Sequence, residues 1–145
     1  MKAVVQRVTH GSVSVYGKVI ASIGRGYVIL LGVQAGDDRA KAEALAKKIA
    51  NLRIFNDKNK KMNLSILDVN GEAIVVSQFT LLADTRKGNR PSFINAAPPD
   101  IASPLVDYFI ELLRNYGVNT QSGKFGAVMQ VEIHNDGPVT ILLDA

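Results

Sequence analysis

Residues 72–82 read Glu-Ala-Ile-Val-Val-Ser-Gln-Phe-Thr-Leu-Leu. Ala73-Ile74-Val75-Val76 is an unbroken apolar run, the pattern of a strand covered on both faces. It passes without a break into Ser77-Gln78-Phe79-Thr80-Leu81. A buried strand that ends in three hydrogen-bonding side chains, Ser77, Gln78 and Thr80, must pair them locally or turn them towards a cleft. Two readings stand at this point. The hydroxyls cap a turn, as Ser and Thr readily do, or they face a cleft.

Upstream, Lys2–Thr9 (KAVVQRVT) is a strand, and Ser12–Tyr16 (SVSVY) alternates as a half-buried one. His10 begins a turn between them. Gly17-Lys18 is a two-residue turn, Val19–Ile23 its hairpin partner, and Tyr27–Val33 (YVILLGV) is apolar enough to be central. Asp37 or Asp38 caps a helix whose buried stripe is Leu45, Ile49 and Leu52, with Ala42 and Ala46 beside it. Arg53-Ile54-Phe55 and Leu64–Leu67 are short strands around the polar loop Asn56–Asn63.

Downstream, Ala83–Asp100 has no period and holds three of the five prolines. A long irregular segment directly after a polar strand end favours function over disorder. Ser103-Pro104 reads as an N-cap followed by proline at the first helical position. Leu105, Phe109 and Leu113 form the buried stripe of this second helix, and Gly117 stops it. Val128–His134 alternates as a strand that places His134 at its end. Asn135-Asp136-Gly137-Pro138-Val139-Thr140 is a turn, and Val139–Leu143 is the last strand. The strands do not alternate regularly with helices, so a doubly wound parallel fold is not expected. The expected class is mixed α/β (α+β): a curved, mostly antiparallel, barrel-like sheet with two packed helices, in a single domain spanning 1–145.

The chain has 145 residues, 47% hydrophobic and 21% charged, which is the composition of an ordinary globular protein. No apolar run reaches the length of a membrane span, and Arg7 interrupts the short apolar start, so neither a membrane nor a signal peptide is expected. Cysteine is absent, which removes disulfides, thiolate metal sites and cysteine nucleophiles and suits a cytoplasmic location. The net charge of +4 is mild, but the basic residues cluster. Arg53, Lys58, Lys60 and Lys61 form one group, and Arg86, Lys87 and Arg90 another, placed to meet solvent or a phosphate backbone. The two histidines show no metal-ligand spacing, and no nucleophile elbow, P-loop or GxGxxG is present, so no metal or cofactor is expected. Chemistry here must be undemanding or assisted by the substrate.

Ser77–Leu81 (SQFTL) together with Asn135–Thr140 (NDGPVT) closely resembles the D-aminoacyl-tRNA deacylase family, the D-Tyr-tRNA(Tyr) deacylase type. The opening KAVVQRV and SVSV, Met62–Ser65 (MNLS) and Phe125–Val131 (FGAVMQV) match as well. The resemblance implies a cytoplasmic homodimer. It would hydrolyse the ester between a D-amino acid and the 3′-terminal adenosine of tRNA, and would clear glycine mischarged onto tRNA(Ala). By the same resemblance Ser77, Gln78, Phe79 and Thr80 form the floor of the site. Gly137-Pro138 is a cis pair reaching into the partner's site, Arg7 holds that pair, and Phe125 and Met129 belong to the pocket region. Thr80 is either nucleophile or positioning group; water attack assisted by the ribose 2′-OH is the favoured chemistry, with backbone N–H groups around Phe79 and Thr80 stabilising the oxyanion. Two other readings are a non-catalytic RNA- or DNA-binding module and a small-molecule-binding oligomer.

Overall fold

A computed structural model describes residues 1–145. Its strands are β1 (Lys2–Val15), β2 (Lys18–Ile23), β3 (Gly26–Gly32), β4 (Phe55–Asn56), β5 (Met62–Leu64), β6 (Glu72–Ser77), β7 (Asn119–Ser122) and β8 (Gln130–Asp144). The helices are α1 (Arg39–Asn51) and α2 (Pro99–Asn115), and Phe79–Leu82 forms one 3-10 turn. The main sheet runs β2-β1-β3-β6-β7, with β8 on the other side of β1. β1 pairs antiparallel with β2, β3 and β8, whereas β3–β6 and β6–β7 are parallel. The Gln121 side-chain amide bonds both the N–H and the C=O of Ser22, at 3.0 and 2.9 Å. These bonds tie β7 to β2 and bring the curved sheet close to a closed barrel.

β3 and β6 are covered on both faces, as their apolar runs require. Tyr27, Ile29, Leu31, Ala73 and Val75 point to the two helices within a core of 25 buried residues. Val28, Ile74 and Val76 point the other way into a smaller cluster with Val8, Val13, Ala21 and Ile23. Asp38 caps α1 by accepting from the Lys41 N–H at 3.1 Å. Ala42, Leu45, Ala46, Ile49 and Ala50 form the buried face of that helix.

Several boundaries differ from the sequence expectation. β1 runs unbroken through His10-Gly11, because Gly11 is a close-packing position and not a turn: a Cβ there would lie 2.7 Å from Val28 Cγ2. β8 is likewise continuous through Gly137-Pro138. Val8 pairs with Asn135 and Gln6 with Thr140, so Asp136–Val139 bulge out opposite Arg7 alone. His134 therefore lies within β8 rather than at a strand end. β6 stops at Ser77, and the chain turns at Gln78 (φ −139°, ψ 75°) into the 3-10 turn instead of extending through Leu81. α2 begins at Pro99, not at Ser103, and Pro104 lies inside it. Proline at the first position pre-sets φ as well at 99 as at 104, and the earlier start adds a turn. The Leu64–Leu67 strand is in fact Met62–Leu64, since Ser65 and Asp68 bond each other's backbone N–H groups at 3.1 and 2.8 Å and bend the chain. β7, Asn119–Ser122, is too polar in sequence to read as a strand.

Candidate active site

The end of β6 opens into a cavity of about 570 Å³. Ser77, Gln78 and Phe79 form one wall, the start of α2 (Pro99, Ala102) a second, and the loop after β7 (Phe125–Ala127) with Met129 a third. Phe93 closes the side next to Phe79, their rings meeting edge to face at 4.9 Å and 71°. The wall is placed by hydrogen bonds to the sheet: Gln78 N–H reaches Leu31 O at 2.8 Å, and Gly123 N–H reaches Val75 O at 3.0 Å. Two glycines permit the close approach. A Cβ on Gly32 would meet Leu82 Cδ2 at 2.7 Å and Gln78 O at 3.0 Å; one on Gly123 would meet Met129 Sδ at 2.6 Å.

No titratable side chain lines this cavity. Its polar groups are the Ser77 hydroxyl, the Gln78 amide and the backbone. Thr80 sits beside it, exposed on the 3-10 turn, where its Oγ1 accepts from Gln78 Nε2. The first N–H groups of a helical turn have no acceptor inside it, which holds for those at the start of the 3-10 turn. A site with no acid, base or nucleophile of shifted pKa suits a substrate that is already activated.

A family model described as D-Tyr-tRNA(Tyr) deacylase matches residues 4–144. The chain belongs to the D-Tyr-tRNA(Tyr) deacylase family. Among its relatives, a D-aminoacyl-tRNA deacylase of Roseiflexus castenholzii is 60% identical over 145 residues, covering all of this chain and 92% of the relative. One of Fervidobacterium nodosum is 57% identical over 145 residues, covering all of this chain and 97% of the relative. The solved structure of a c-Myc DNA Unwinding Element Binding Protein is 46% identical with a TM-score of 0.93, covering 100% of this chain and 99% of that one. A probable eukaryotic D-amino acid tRNA deacylase shares the fold, with a TM-score of 0.82 at 18% identity over 99% of this chain and 98% of that one.

In this family member the second motif lies elsewhere. Arg7 faces the bulge of β8, buried to 6% exposure. Its Nε donates to Asp136 O at 3.0 Å and its Nη1 to Ile54 O at 2.6 Å. Asn135 Oδ1 takes the Val139 N–H at 2.7 Å, fixing the bulge from the other side. The Gly137-Pro138 peptide bond is cis, and both residues are exposed. Arg7 pairs with Tyr27 across β1–β3, whereas the cavity begins at Val33. None of Arg7, Gly137 and Pro138 is among the residues that line the cavity. One chain thus brings Ser77, Gln78, Phe79, Thr80, Phe125 and Met129 together, and keeps Arg7, Gly137 and Pro138 at the other end of the sheet.

The sequence reading missed Phe93, Pro99, Ala102 and the two glycines. Phe93 and the small pair Ala96-Ala97 lie in the aperiodic 83–100 segment, where a lone aromatic beside small residues was the available signal. His10 and His134 contact each other across β1–β8, ring centroids 5.1 Å apart, and line no part of the cavity. Their neighbour Glu132 is held below the usual carboxylate range by hydrogen bonds from His134 and Ser12.

Proposed function

We propose that this chain is a D-aminoacyl-tRNA deacylase, a hydrolase that cleaves the ester between a D-amino acid and the terminal adenosine of tRNA. The observation that carries this reading is a cavity free of titratable groups, built on the Ser77-Gln78-Phe79 wall, in a chain of this family. An aminoacyl ester is activated, so water attack needs orientation more than acid–base power. Backbone N–H groups at Phe79 and Thr80 take the charge developing on the carbonyl oxygen. The neighbouring ribose 2′-OH assists the water. Thr80 accepts a hydrogen bond from Gln78, which leaves its own proton free to orient the ester, and no base stands by to make it a nucleophile.

Chirality is read in trans. In a homodimer, Gly137-Pro138 of one copy reaches the cavity of the other, and its pinned carbonyls exclude an L side chain at the α-carbon. Arg7 and Asn135 support this reading by holding the bulge in one conformation. Repulsion of a side chain does not exclude glycine, so glycyl-tRNA(Ala) is also a substrate. The enzyme acts in the cytoplasm, where these esters are made.

A nucleic-acid-binding role without turnover is the second reading, favoured by the basic loops and by the 46% identical relative, which is named for binding a DNA unwinding element. Incubation of D-tyrosyl-tRNA with the purified protein in a chelator separates the two. Release of tyrosine, with Thr80→Ala within tenfold of the parent, supports the deacylase and its mechanism. Binding without release supports the second reading. An inert Thr80→Ala that still binds counts against water attack with Thr80 only positioning the ester.

A further inference from the structure

Behind the 3-10 turn lies a second hollow, of about 350 Å³, lined among others by Lys2, Gln34, Asn95, Thr85 and Arg86. The 3-10 turn separates it from the main cavity: Phe79 faces one space, and Leu81 and Leu82 face the other. At about 2 Å of rise per residue, the turn is roughly 6–8 Å long. The two spaces are therefore near neighbours.

The segment bordering both is a built loop. Asp84 and Ser92 exchange backbone hydrogen bonds at 2.8 and 2.9 Å and close its base. Asp84 also accepts from the Arg86 backbone N–H at 3.0 Å, Nε at 2.9 Å and Nη2 at 2.7 Å. That fork holds the Asp84 carboxyl down at about 2. It uses up the loop's single carboxylate as a strut. Lys87 and Arg90 are then left exposed at the tip, and neither forms an ion pair. Lys2 at the back of the hollow is matched by Asp144 at 3.1 Å. The uncompensated positive charge therefore sits at the tip of the loop whose two arms border the hollow, through Thr85 and Arg86, and the main cavity, through Phe93.

We propose that this hollow and its loop are a phosphodiester subsite: Lys87 and Arg90 contact the backbone phosphates just 5′ of the terminal nucleoside, and the amides of Gln34 and Asn95 line the path. The inference rests on the deacylase reading of the main cavity. It assigns the loop to the RNA strand and not to the amino acid or the adenosine. Contacts of this kind carry no sequence preference, so they serve every tRNA alike through the shared 3′ end.

The test compares two D-tyrosyl esters, one on tRNA and one on free adenosine, which has no phosphate. In Lys87→Ala/Arg90→Ala, the ratio of kcat/KM on tRNA to kcat/KM on the adenosine ester should fall on the order of tenfold at low salt. The slope of log kcat/KM on tRNA against log salt should flatten by roughly 0.7 for each lost single-strand contact. The charge-matched control Lys47→Ala/Lys48→Ala, on the outer face of α1, should leave both unchanged. An unaltered ratio and slope in the loop variant overturns the subsite, as does an equal loss on both esters or the same loss in the control. If the parent protein cleaves neither ester, the deacylase reading itself fails, and the salt slope of tRNA binding then judges the loop alone.

Discussion

Tyr27 is fully buried, stacked on Phe55 at 5.2 Å, and its hydroxyl has no hydrogen-bond partner. Burial pushes its pKa up, against a smaller downward pull from Arg7. An unpaired buried hydroxyl costs about 1–3 kcal/mol. Tyr27→Phe is therefore expected to stabilise the fold by about 1 kcal/mol in urea unfolding, and a loss of that size would mean the hydroxyl is paired. The gain should grow above pH 10, where only the unfolded phenol of the parent ionises. Asp84 gives the opposite sign. Its folded pKa, about 2, lies below the ordinary value of 3.8, so its contribution is present above pH 4 and disappears as the pH falls towards 2. A carboxyl NMR titration of Asp84 should have its midpoint near 2; a midpoint near 3.8 would dissolve the Asp84–Arg86 strut. Neither residue was legible in the sequence, because a partner, or the lack of one, is a matter of the folded neighbourhood. Arg7 was legible only through its resemblance to the family. Nothing local marks an arginine in a strand as the clamp on a bulge 129 residues away.

The 3-10 turn shows how far pattern reading reaches among elements. The apolar run Ala73–Val76 announces a two-sided strand, and β6 is that strand. The polar tail that follows could equally extend the strand or leave it, and Gly32 on β3 makes the choice. Only a glycine there lets Leu82 and the Gln78 carbonyl close on the sheet. Gly32→Ala should push the turn outward, costing about 1–3 kcal/mol by overpacking and lowering kcat/KM by tenfold or more. A stable variant with parental activity would show that the turn's position does not matter to the site. The two long strands each read as two in the sequence for the opposite reason. Gly11 and Gly137-Pro138 carry turn-like composition, yet β1 and β8 pair with each other on both sides of those residues, and the ladder absorbs them as a tight contact and a bulge.

At the scale of the whole molecule, the separation of the two motifs is the fact to explain. Gly137 and Pro138 do not line the cavity of their own chain, so the filter proposed above has to come from a second copy. Gly137→Ala should spoil the loop, since Gly137 has φ +137° and a Cβ there would lie 2.7 Å from Val139 Cγ2 and 3.1 Å from Arg7 Nη2. Under the trans filter proposed above, the variant alone should lose D-over-L selectivity. Co-refolding it with an excess of Gly32→Ala chains, whose own cavity is damaged but whose loop is intact, should restore that selectivity. No recovery would contradict a filter supplied by the partner chain. The most direct test of the account follows tRNA charged with D-tyrosine, L-tyrosine or glycine, each incubated with the purified protein under one condition. Release of D-tyrosine and glycine with L-tyrosine left in place is the predicted result. Release of L-tyrosine at the rate of D-tyrosine would contradict discrimination by exclusion, and retention of all three would contradict the deacylase itself.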